Sequence, residues 1–181
     1  ASPTPAPVAP LQPVHRVRRF FSSLWPKGPN TEDERWARAQ LLPAELDLWR
    51  EMSGPDRRHA TGVARRTAAT LGDAATRPVL AAALLHDVGK TVAHLGTYGR
   101  VIATLCAAIT DEGTHALWVR GSGFTRKVGL YLTYPALGAD LLALAGSDEL
   151  TIAWAREHHE PPEAWTVPAE IGEALTEADD C

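Results

Sequence analysis

From Thr31 onward, hydrophobic residues recur every three or four positions, the spacing that places them on one face of an α-helix. Thr31 is suited to cap a first helix, because the acidic residues after it favour the positive end of a helix dipole. Pro43 begins a second, short helix, and Pro55 or Asp56 opens a longer one that runs to Leu71. Further helices are predicted at about 97–110, 127–133, 135–145, 148–159 and 168–178.

One helical segment is apolar on nearly all sides. It begins near Thr76 and Pro78 and continues as an uninterrupted run of Val, Ala and Leu through residues 79–85. Such a helix belongs at the centre of a bundle. Strand-like patterns are confined to residues 118–119 and 127–131, which are too short to build a sheet. The sequence therefore predicts an all-α helical bundle over residues 31–181.

Residues 1–30 are predicted to form a separate N-terminal arm. Prolines at positions 3, 5, 7, 10 and 13 fix the backbone angle φ and supply no amide hydrogen, so this stretch is expected to be extended. A basic cluster at residues 15–19 precedes the aromatic residues Phe20, Phe21 and Trp25. Two interpretations stay open: the aromatic side chains pack on the domain, or the arm recruits a membrane or a protein partner.

Composition narrows the class of protein. The 181 residues are 45% hydrophobic and 22% charged, which suits one globular domain, and the formal net charge of −4 lacks the basic excess typical of nucleic-acid binders. The two cysteines, Cys106 and Cys181, allow neither a disulfide framework nor a four-cysteine zinc site. Without a bilayer-spanning run or a secretory signal pattern, we expect a cytoplasmic domain, and no pattern indicates an oligomeric state.

The clearest chemical signal is at the end of the apolar helix, where the chain continues as His86-Asp87-Val88-Gly89-Lys90. Gly89 is placed to break the helix, and at a helix end both His86 and Asp87 can turn toward one ion. An unpaired carboxylate buried beside this run would cost several kcal/mol, so Asp87 requires a cation or dense hydrogen bonding. A divalent metal meets that requirement.

Two other parts of the chain offer metal ligands. If the helix that contains His59 is an antiparallel neighbour of the apolar helix, His59 meets His86 and Asp87. Asp179, near the end of the last predicted helix, can complete the set, although Asp180 beside it competes for this role and a solvated acidic tail is the alternative. Two imidazoles and two carboxylates suit Mn, Fe, Co, Ni or Zn more than Mg.

The order His59, His86-Asp87 and Asp179 resembles the metal-binding signature of the HD-domain phosphohydrolases, and residues 86–90 match the HDxGK variant of its motif. Residues 134–142 resemble the HPxxGAxLL segment of that superfamily, and residues 157–160 resemble its HHE segment. The resemblance covers about residues 55–180. It implies an HD-domain helical bundle that hydrolyses a phosphate ester or a phosphoanhydride, such as one in a nucleotide, as a metal-dependent phosphatase or phosphodiesterase.

The chain departs from that pattern at one ligand position. Where binuclear family members use a histidine to hold a second metal, this sequence has Tyr134, whose phenol stays protonated at neutral pH. The resemblance therefore implies one metal, and His158 becomes a substrate-contacting or supporting group. The GYP sequence of cyclic-di-GMP phosphodiesterases and the HDxxED variant of ppGpp hydrolases are both absent, so no substrate is assigned.

In the predicted mechanism, the metal lowers the pKa of bound water and binds a phosphoryl oxygen. Asp87 would also orient the attacking water, while Lys90 and His158 would stabilise charge on the phosphoryl group or the leaving oxygen. Lys90 could instead be a cation favoured by the end of a helix. Further substrate contacts are predicted, with lower priority, at Arg126, Lys127, Tyr134 and His159.

Three alternatives remain open. Arg126 and Lys127, beside the glycine-rich segment 121–123, could form a solvated basic loop rather than grip a phosphate. Between the two adjacent histidines, His158 rather than His159 is expected to point inward. The whole domain could also be a non-catalytic HD domain that binds a metal together with a nucleotide or a protein partner.

Overall fold

The computed structural model describes residues 27–107 and 110–181, and all secondary structure in these ranges is helical. The predicted all-α fold is therefore confirmed. The helices are α1 (Thr31–Ala39), α2 (Pro43–Glu51), α3 (Gly54–Leu71), α4 (Arg77–Leu85), α5 (Lys90–Ala93), α6 (Thr97–Ala107), α7 (Glu112–Val119), α8 (Gly123–Leu132), α9 (Tyr134–Leu144), α10 (Glu149–Glu157) and α11 (Ala169–Asp180), with 3₁₀ turns at Gly72–Ala74 and Pro162–Ala164. Of the predicted arm, only residues 27–30 lie within the described ranges. Among the described helices, none combines the length and hydropathy that crossing a bilayer requires.

Local capping explains where the first helices begin. Asn30, rather than the expected Thr31, caps α1, and its side chain accepts a hydrogen bond of 2.9 Å from the amide of Asp33. Ser53 caps α3 in the same way, so this helix starts at Gly54, one residue earlier than expected. At its other end, Gly72 has φ of 54°, a conformation that glycine adopts without steric cost and that ends the helix.

Two helices, α5 and α7, were not predicted. Residues 118–119, which look strand-like in isolation, belong to α7, and α8 begins at Gly123 rather than near residue 127. The side chain of Asp111 accepts a hydrogen bond of 2.7 Å from the amide of Thr114 and so starts α7. A short apolar run carries no clear period of its own, and tertiary packing decides its conformation.

The main hydrophobic core surrounds α4. Residues 79–85 of this helix are all buried, as its all-round apolar sequence predicts. Helix α4 packs against α3 and α10, and α3 packs in turn against α11. Trp49 from α2 and Trp154 from α10 are buried in the same core. Most of the predicted site residues lie at the starts of α3 and α9 and at the ends of α4, α10 and α11, and the contacts described below bring these residues together.

A second, smaller core lies among α5, α6 and α8. Its buried members are Ala93, Leu95, Ala103 and Val128, with Trp118 and Tyr131 packed against them. Helix α8 contacts α5, α6 and α7, whereas α9 links this group to the main core through α5 and α10. The molecule thus consists of a larger core that carries the candidate site and a smaller helical group beside it.

Candidate metal centre

The turn between α4 and α5 places His86 and Asp87 inside the protein. The amide of Val88 donates to the carbonyl oxygen of Leu85, and the amide of Lys90 donates to that of Asp87, both at 3.0 Å, so the chain continues in tight turns after α4 ends. Gly89 lies against the first turn of α9. A Cβ atom at this position would lie 2.0 Å from the carbonyl oxygen of Tyr134. Only glycine allows this close approach.

His59 comes to this turn from the start of α3. Its ring centroid lies 5.7 Å from that of His86, so the beginning of α3 meets the end of α4, as expected for antiparallel neighbours. One potential ligand atom from each of His59, His86 and Asp87 lies within 4.8 Å of the others. These three residues form the one such group of His, Cys, Asp or Glu found among the described residues.

Asp179 joins the group from the end of α11. Its Oδ1 atom lies 2.7 Å from Nε2 of His59 and 3.7 Å from Nε2 of His86. Asp180, the competing carboxylate, is exposed. The structure therefore brings together all four residues predicted as ligands, and it places Asp179 rather than Asp180 among them.

His86 presents an unpaired nitrogen to the two carboxylates. Its Nδ1 atom lies 2.9 Å from the carbonyl oxygen of Ala83. A carbonyl can only accept, so Nδ1 carries a hydrogen and donates it, and a ring with one hydrogen then has its lone pair on Nε2. This Nε2 atom is buried and has no hydrogen-bond partner among the described residues. It lies 3.5 Å from Oδ2 of Asp87, an acceptor that cannot satisfy a lone pair.

Positive neighbours keep Asp87 ionised. Its side chain is 4% exposed, and burial by itself would raise its pKa, yet the charge of Lys90 and contributions from the surrounding histidines hold the pKa well below its ordinary value. Nζ of Lys90 lies 2.5 Å from Oδ2 of Asp87 and 4.7 Å from the centroid of the Tyr134 ring. Lys90 thus faces the site, rather than only following the end of a helix.

Tyr134 connects the two adjacent histidines. Nδ1 of His158 lies 3.1 Å from the carbonyl oxygen of Ala155, so this nitrogen carries the hydrogen and Nε2 accepts. The Tyr134 hydroxyl lies 3.0 Å from Nε2 of His158 and 2.6 Å from Nε2 of His159. It also forms a hydrogen bond with the carboxylate of Asp87.

Of the two adjacent histidines, His158 points inward. Its side chain is 3% exposed and its Nε2 atom lies 3.9 Å from Oδ1 of Asp87, whereas His159 is exposed over much of its surface. Burial, with the adjacent His86 and His159, lowers the pKa of His158 to about 3. Burial likewise raises the pKa of Tyr134 well above its ordinary value, and the charge of Asp87 adds to this shift. Both groups are therefore neutral near pH 7.

A charged pair beside the site was not anticipated from the sequence. Asp56, three residues before His59 on α3, receives two hydrogen bonds of 2.7 and 2.8 Å from the guanidinium of Arg100 on α6. Burial alone would raise the pKa of Asp56, but the bonds to Arg100 lower it, and the charge of Lys90 contributes. The spacing of Asp56 and His59 puts them on one face of α3. That spacing is the sequence signal that Asp56 lies near the site. The sequence around Arg100 does not mark it as the partner of Asp56.

Two predicted substrate contacts lie apart from this group. Arg126 and Lys127 are exposed in the first half of α8. Neither forms an ion pair with the His and Asp cluster in the part of the chain that the structure describes. Their surroundings match the solvated basic surface that was the open alternative.

The donor set fits a divalent transition metal. Ligands about 2.0–2.2 Å from an ion lie up to roughly 4.4 Å from one another, close to the separations among these atoms. Mixed nitrogen and oxygen donors favour Mn, Fe, Co, Ni or Zn over Mg, and the unpaired Nε2 of His86 supplies the lone pair that such an ion accepts. In comparisons with known proteins, no family model, no curated protein and no solved structure matches this chain.

Proposed function

We propose that this protein is a metal-dependent phosphohydrolase of the HD-domain type, with one divalent transition metal bound by His59, His86, Asp87 and Asp179. The observation that carries the proposal is the buried, unpaired Nε2 atom of His86 beside two carboxylates. Burial of this atom without a partner costs about 1–3 kcal/mol, and a cation removes that cost. The proposed substrate is a phosphate ester or a phosphoanhydride, such as one in a nucleotide.

When bound, a metal at this position supplies a Lewis acid for a phosphoryl oxygen and lowers the pKa of water. The residues of the chain supply the rest. Because its pKa is depressed, Asp87 is ionised at neutral pH and can orient the attacking water through a carboxylate oxygen. The ammonium of Lys90, 14% exposed and already at the site, can donate hydrogen bonds to phosphoryl oxygens as negative charge develops on them.

His158 has a supporting role in this proposal. Its Nδ1–H is directed to backbone carbonyls and its pKa is near 3, so at neutral pH it has no proton to give from Nε2. Its Nε2 atom contacts the Tyr134 hydroxyl instead. We therefore assign His158 and His159 to holding the Tyr134 hydroxyl in place at the wall of the site, where it can contact a substrate.

The test combines metal analysis with a substrate panel. Purified protein should contain close to one equivalent of transition metal, and a phosphatase and phosphodiesterase screen with Mn, Co, Ni and Mg should give activity that is lost in the His86→Ala, Asp87→Ala double variant. His94→Asn is the matched control, because His94 is exposed and its backbone φ of 45° is one that asparagine tolerates. Activity that survives in the double variant would show that the site is misassigned.

A non-catalytic function has one observation in its favour. The Tyr134 hydroxyl pairs with the two histidines on the side of Asp87 where the family resemblance implies a second metal in binuclear enzymes. The site could then hold a structural ion and bind a nucleotide or a protein partner. Metal-loaded protein that binds nucleotides in equilibrium dialysis, yet turns over no substrate in the panel, would favour this function.

A further inference from the structure

Exposed hydrophobic side chains are concentrated in the smaller helical group. Among the described residues, five large hydrophobic side chains are exposed, and four of them belong to α6, α7 and α8. These four are Ile102, Leu105, Leu117 and Phe124. The fifth, Leu144, lies at the end of α9 and is 87% exposed. Scattered apolar side chains need no explanation, but a concentration on one part of the surface indicates an interaction site.

Helices α7 and α8 form a helical hairpin whose tip, residues 117–127, combines apolar and basic side chains. Packing fixes this tip: a Cβ atom on Gly129 would lie 2.6 Å from the amide nitrogen of Val119, so the two helices are in backbone contact. Trp118 turns inward to the smaller core. Leu117 beside it is therefore directed outward and is 66% exposed, and Phe124 at the start of α8 is 50% exposed.

Charge at the tip has a single sign. Residues 113–139 contain no Asp or Glu, whereas Arg120, Arg126 and Lys127 all lie in the tip and are exposed. Residues 1–30 likewise carry basic residues without acidic ones, with four Arg or Lys and no Asp or Glu. The chain as a whole has a net charge of −4. The apolar and basic side chains thus coincide at the tip, one of two basic stretches in a chain whose net charge is negative.

From this coincidence we propose that the tip of the α7–α8 hairpin, residues 117–127, docks on the surface of an anionic phospholipid bilayer. Leu117 and Phe124 would enter the boundary between head groups and acyl chains, and Arg120, Arg126 and Lys127 would lie among the phosphates. Each basic residue near an anionic surface contributes about a fivefold gain in affinity.

The charge and polarity of the tip favour an anionic bilayer over a second copy of the chain and over a nucleic acid. A second copy of the chain would bring three like charges against three, which opposes association through this surface. A nucleic acid would pair with the arginines but would leave Leu117 and Phe124 without an apolar partner. A bilayer surface with anionic head groups satisfies both kinds of side chain at once.

The experiment measures partition of the full chain onto vesicles by sedimentation. Wild-type protein should bind vesicles of equal parts phosphatidylcholine and phosphatidylglycerol, bind pure phosphatidylcholine far more weakly, and lose affinity as ionic strength rises. The Leu117→Gln, Phe124→Gln variant and the Arg126→Gln, Lys127→Gln variant should each bind the anionic vesicles at least about tenfold more weakly.

Matched controls separate the tip from the rest of the surface. Leu144→Gln removes an exposed hydrophobic side chain elsewhere, and Arg38→Gln with Arg50→Gln removes two exposed positive charges elsewhere. Both controls should bind vesicles like wild-type protein. All variants should keep the metal content of wild-type protein, which shows that the fold and the candidate site are intact and keeps this result independent of any enzymatic activity.

Three outcomes would overturn the proposal. Tip variants that bind anionic vesicles as tightly as wild-type protein would mean that any membrane contact is made through residues 1–30 instead. Equal binding to neutral and anionic vesicles would show that the basic residues do not contribute to the affinity for the bilayer. A dimer in solution that Leu117→Gln and Phe124→Gln convert to a monomer, with vesicle partition unchanged, would assign this surface to a second copy of the chain.

Discussion

Gly89 lies where the backbone of another helix approaches too closely for any side chain. Its φ of −60° is accessible to every residue, so the requirement for glycine is one of space and not of conformation. Replacement by alanine would put a Cβ atom 2.0 Å from the carbonyl oxygen of Tyr134 and 2.7 Å from the amide of Gly138. We expect Gly89→Ala to lower the free energy of unfolding by about 2–4 kcal/mol, measured by urea denaturation.

Gly96 provides the control for this prediction. Nothing lies within 4 Å of a Cβ atom built at Gly96. Gly96→Ala should therefore change the free energy of unfolding by less than about 1 kcal/mol, with a small gain expected from the reduced freedom of the unfolded chain. An equally small effect of Gly89→Ala would contradict the close contact between Gly89 and the first turn of α9.

His158 makes stability depend on pH. Its pKa is about 3 in the folded protein against an ordinary value of 6.5, so between these values the unfolded chain binds more protons and acid favours unfolding. The stability from this residue is present above about pH 6.5 and is lost as pH falls toward 3. Metal-free protein should lose about 2 kcal/mol of unfolding free energy through His158 between pH 7 and pH 5.

The measurement is urea denaturation in the presence of a chelator at several pH values. His158→Gln cannot titrate, so its unfolding free energy should decline less steeply over this range than that of wild-type protein. The difference in slope, rather than the absolute value, isolates His158 from the other titrating groups. Identical slopes would mean that folding does not lower the pKa of His158.

At the scale of elements, the Asp56–Arg100 pair joins α3, which carries His59, to α6 of the smaller helical group. The side chains are only 13% and 24% exposed and make two hydrogen bonds. Arg100→Met would leave a largely buried carboxylate without its main partner, and we expect a loss of about 3 kcal/mol in unfolding free energy. Arg100→Lys keeps the charge but not the paired geometry and should lose less.

An exposed pair serves as the comparison for Arg100. Arg50 and Asp47 are 2.8 Å apart, with side chains 51% and 73% exposed. Arg50→Gln should therefore change the unfolding free energy by no more than about 0.5 kcal/mol. Urea denaturation measures the effect at both positions. A similar effect at both positions would show that burial does not strengthen the Asp56–Arg100 pair.

The elements with strong hydrophobic periodicity and capping signals were predicted well. The proline starts at Pro43 and Pro55 mark α2 and α3 to within one or two residues of their observed starts, whereas α4 ends at Leu85, before the predicted break at Gly89. Helix α7 was missed because its eight residues contain glycine and Trp118-Val119, and only the side chain of Asp111 and the contact with α8 show how it starts and where it packs.

The candidate ligands were predicted from the His86-Asp87 pair at the end of the apolar helix, from the assumed antiparallel neighbour that carries His59, and from the resemblance to the HD-domain signature, which includes Asp179. The structure places these four residues together. The hydrogen bonds of Tyr134 to both histidines could not be derived, since they depend on how α9 and α10 cross. For the same reason the sequence held no indication that Arg100 would reach Asp56.

For the molecule as a whole, a bound metal should connect distant parts of the chain and raise stability. An ion held by the folded state alone stabilises it by about 2.7 kcal/mol when present at 100 times its dissociation constant. For a protein of this size we expect an increase in Tm of about 5–10 °C on addition of Mn, Co or Zn to chelator-treated protein. Calorimetry or thermal circular dichroism would measure it.

The control for this prediction is His59→Ala, which removes one proposed ligand. Its Tm should respond little to the same ions. Mg should also give a smaller increase than the transition metals in wild-type protein, because the set includes two imidazoles. An equal increase in the variant would show that the ions act at another site.

The contact between His59 and Asp179 joins positions 120 residues apart in the chain. Bringing two positions so far apart in the chain into contact costs conformational entropy. Helices, whose contacts are local, therefore form before this pair does. The four side chains can then converge only after α3, the end of α4 and the end of α11 have docked together. Capture of an ion would accordingly mark the formation of the larger core, and a chain arrested before that point would retain none.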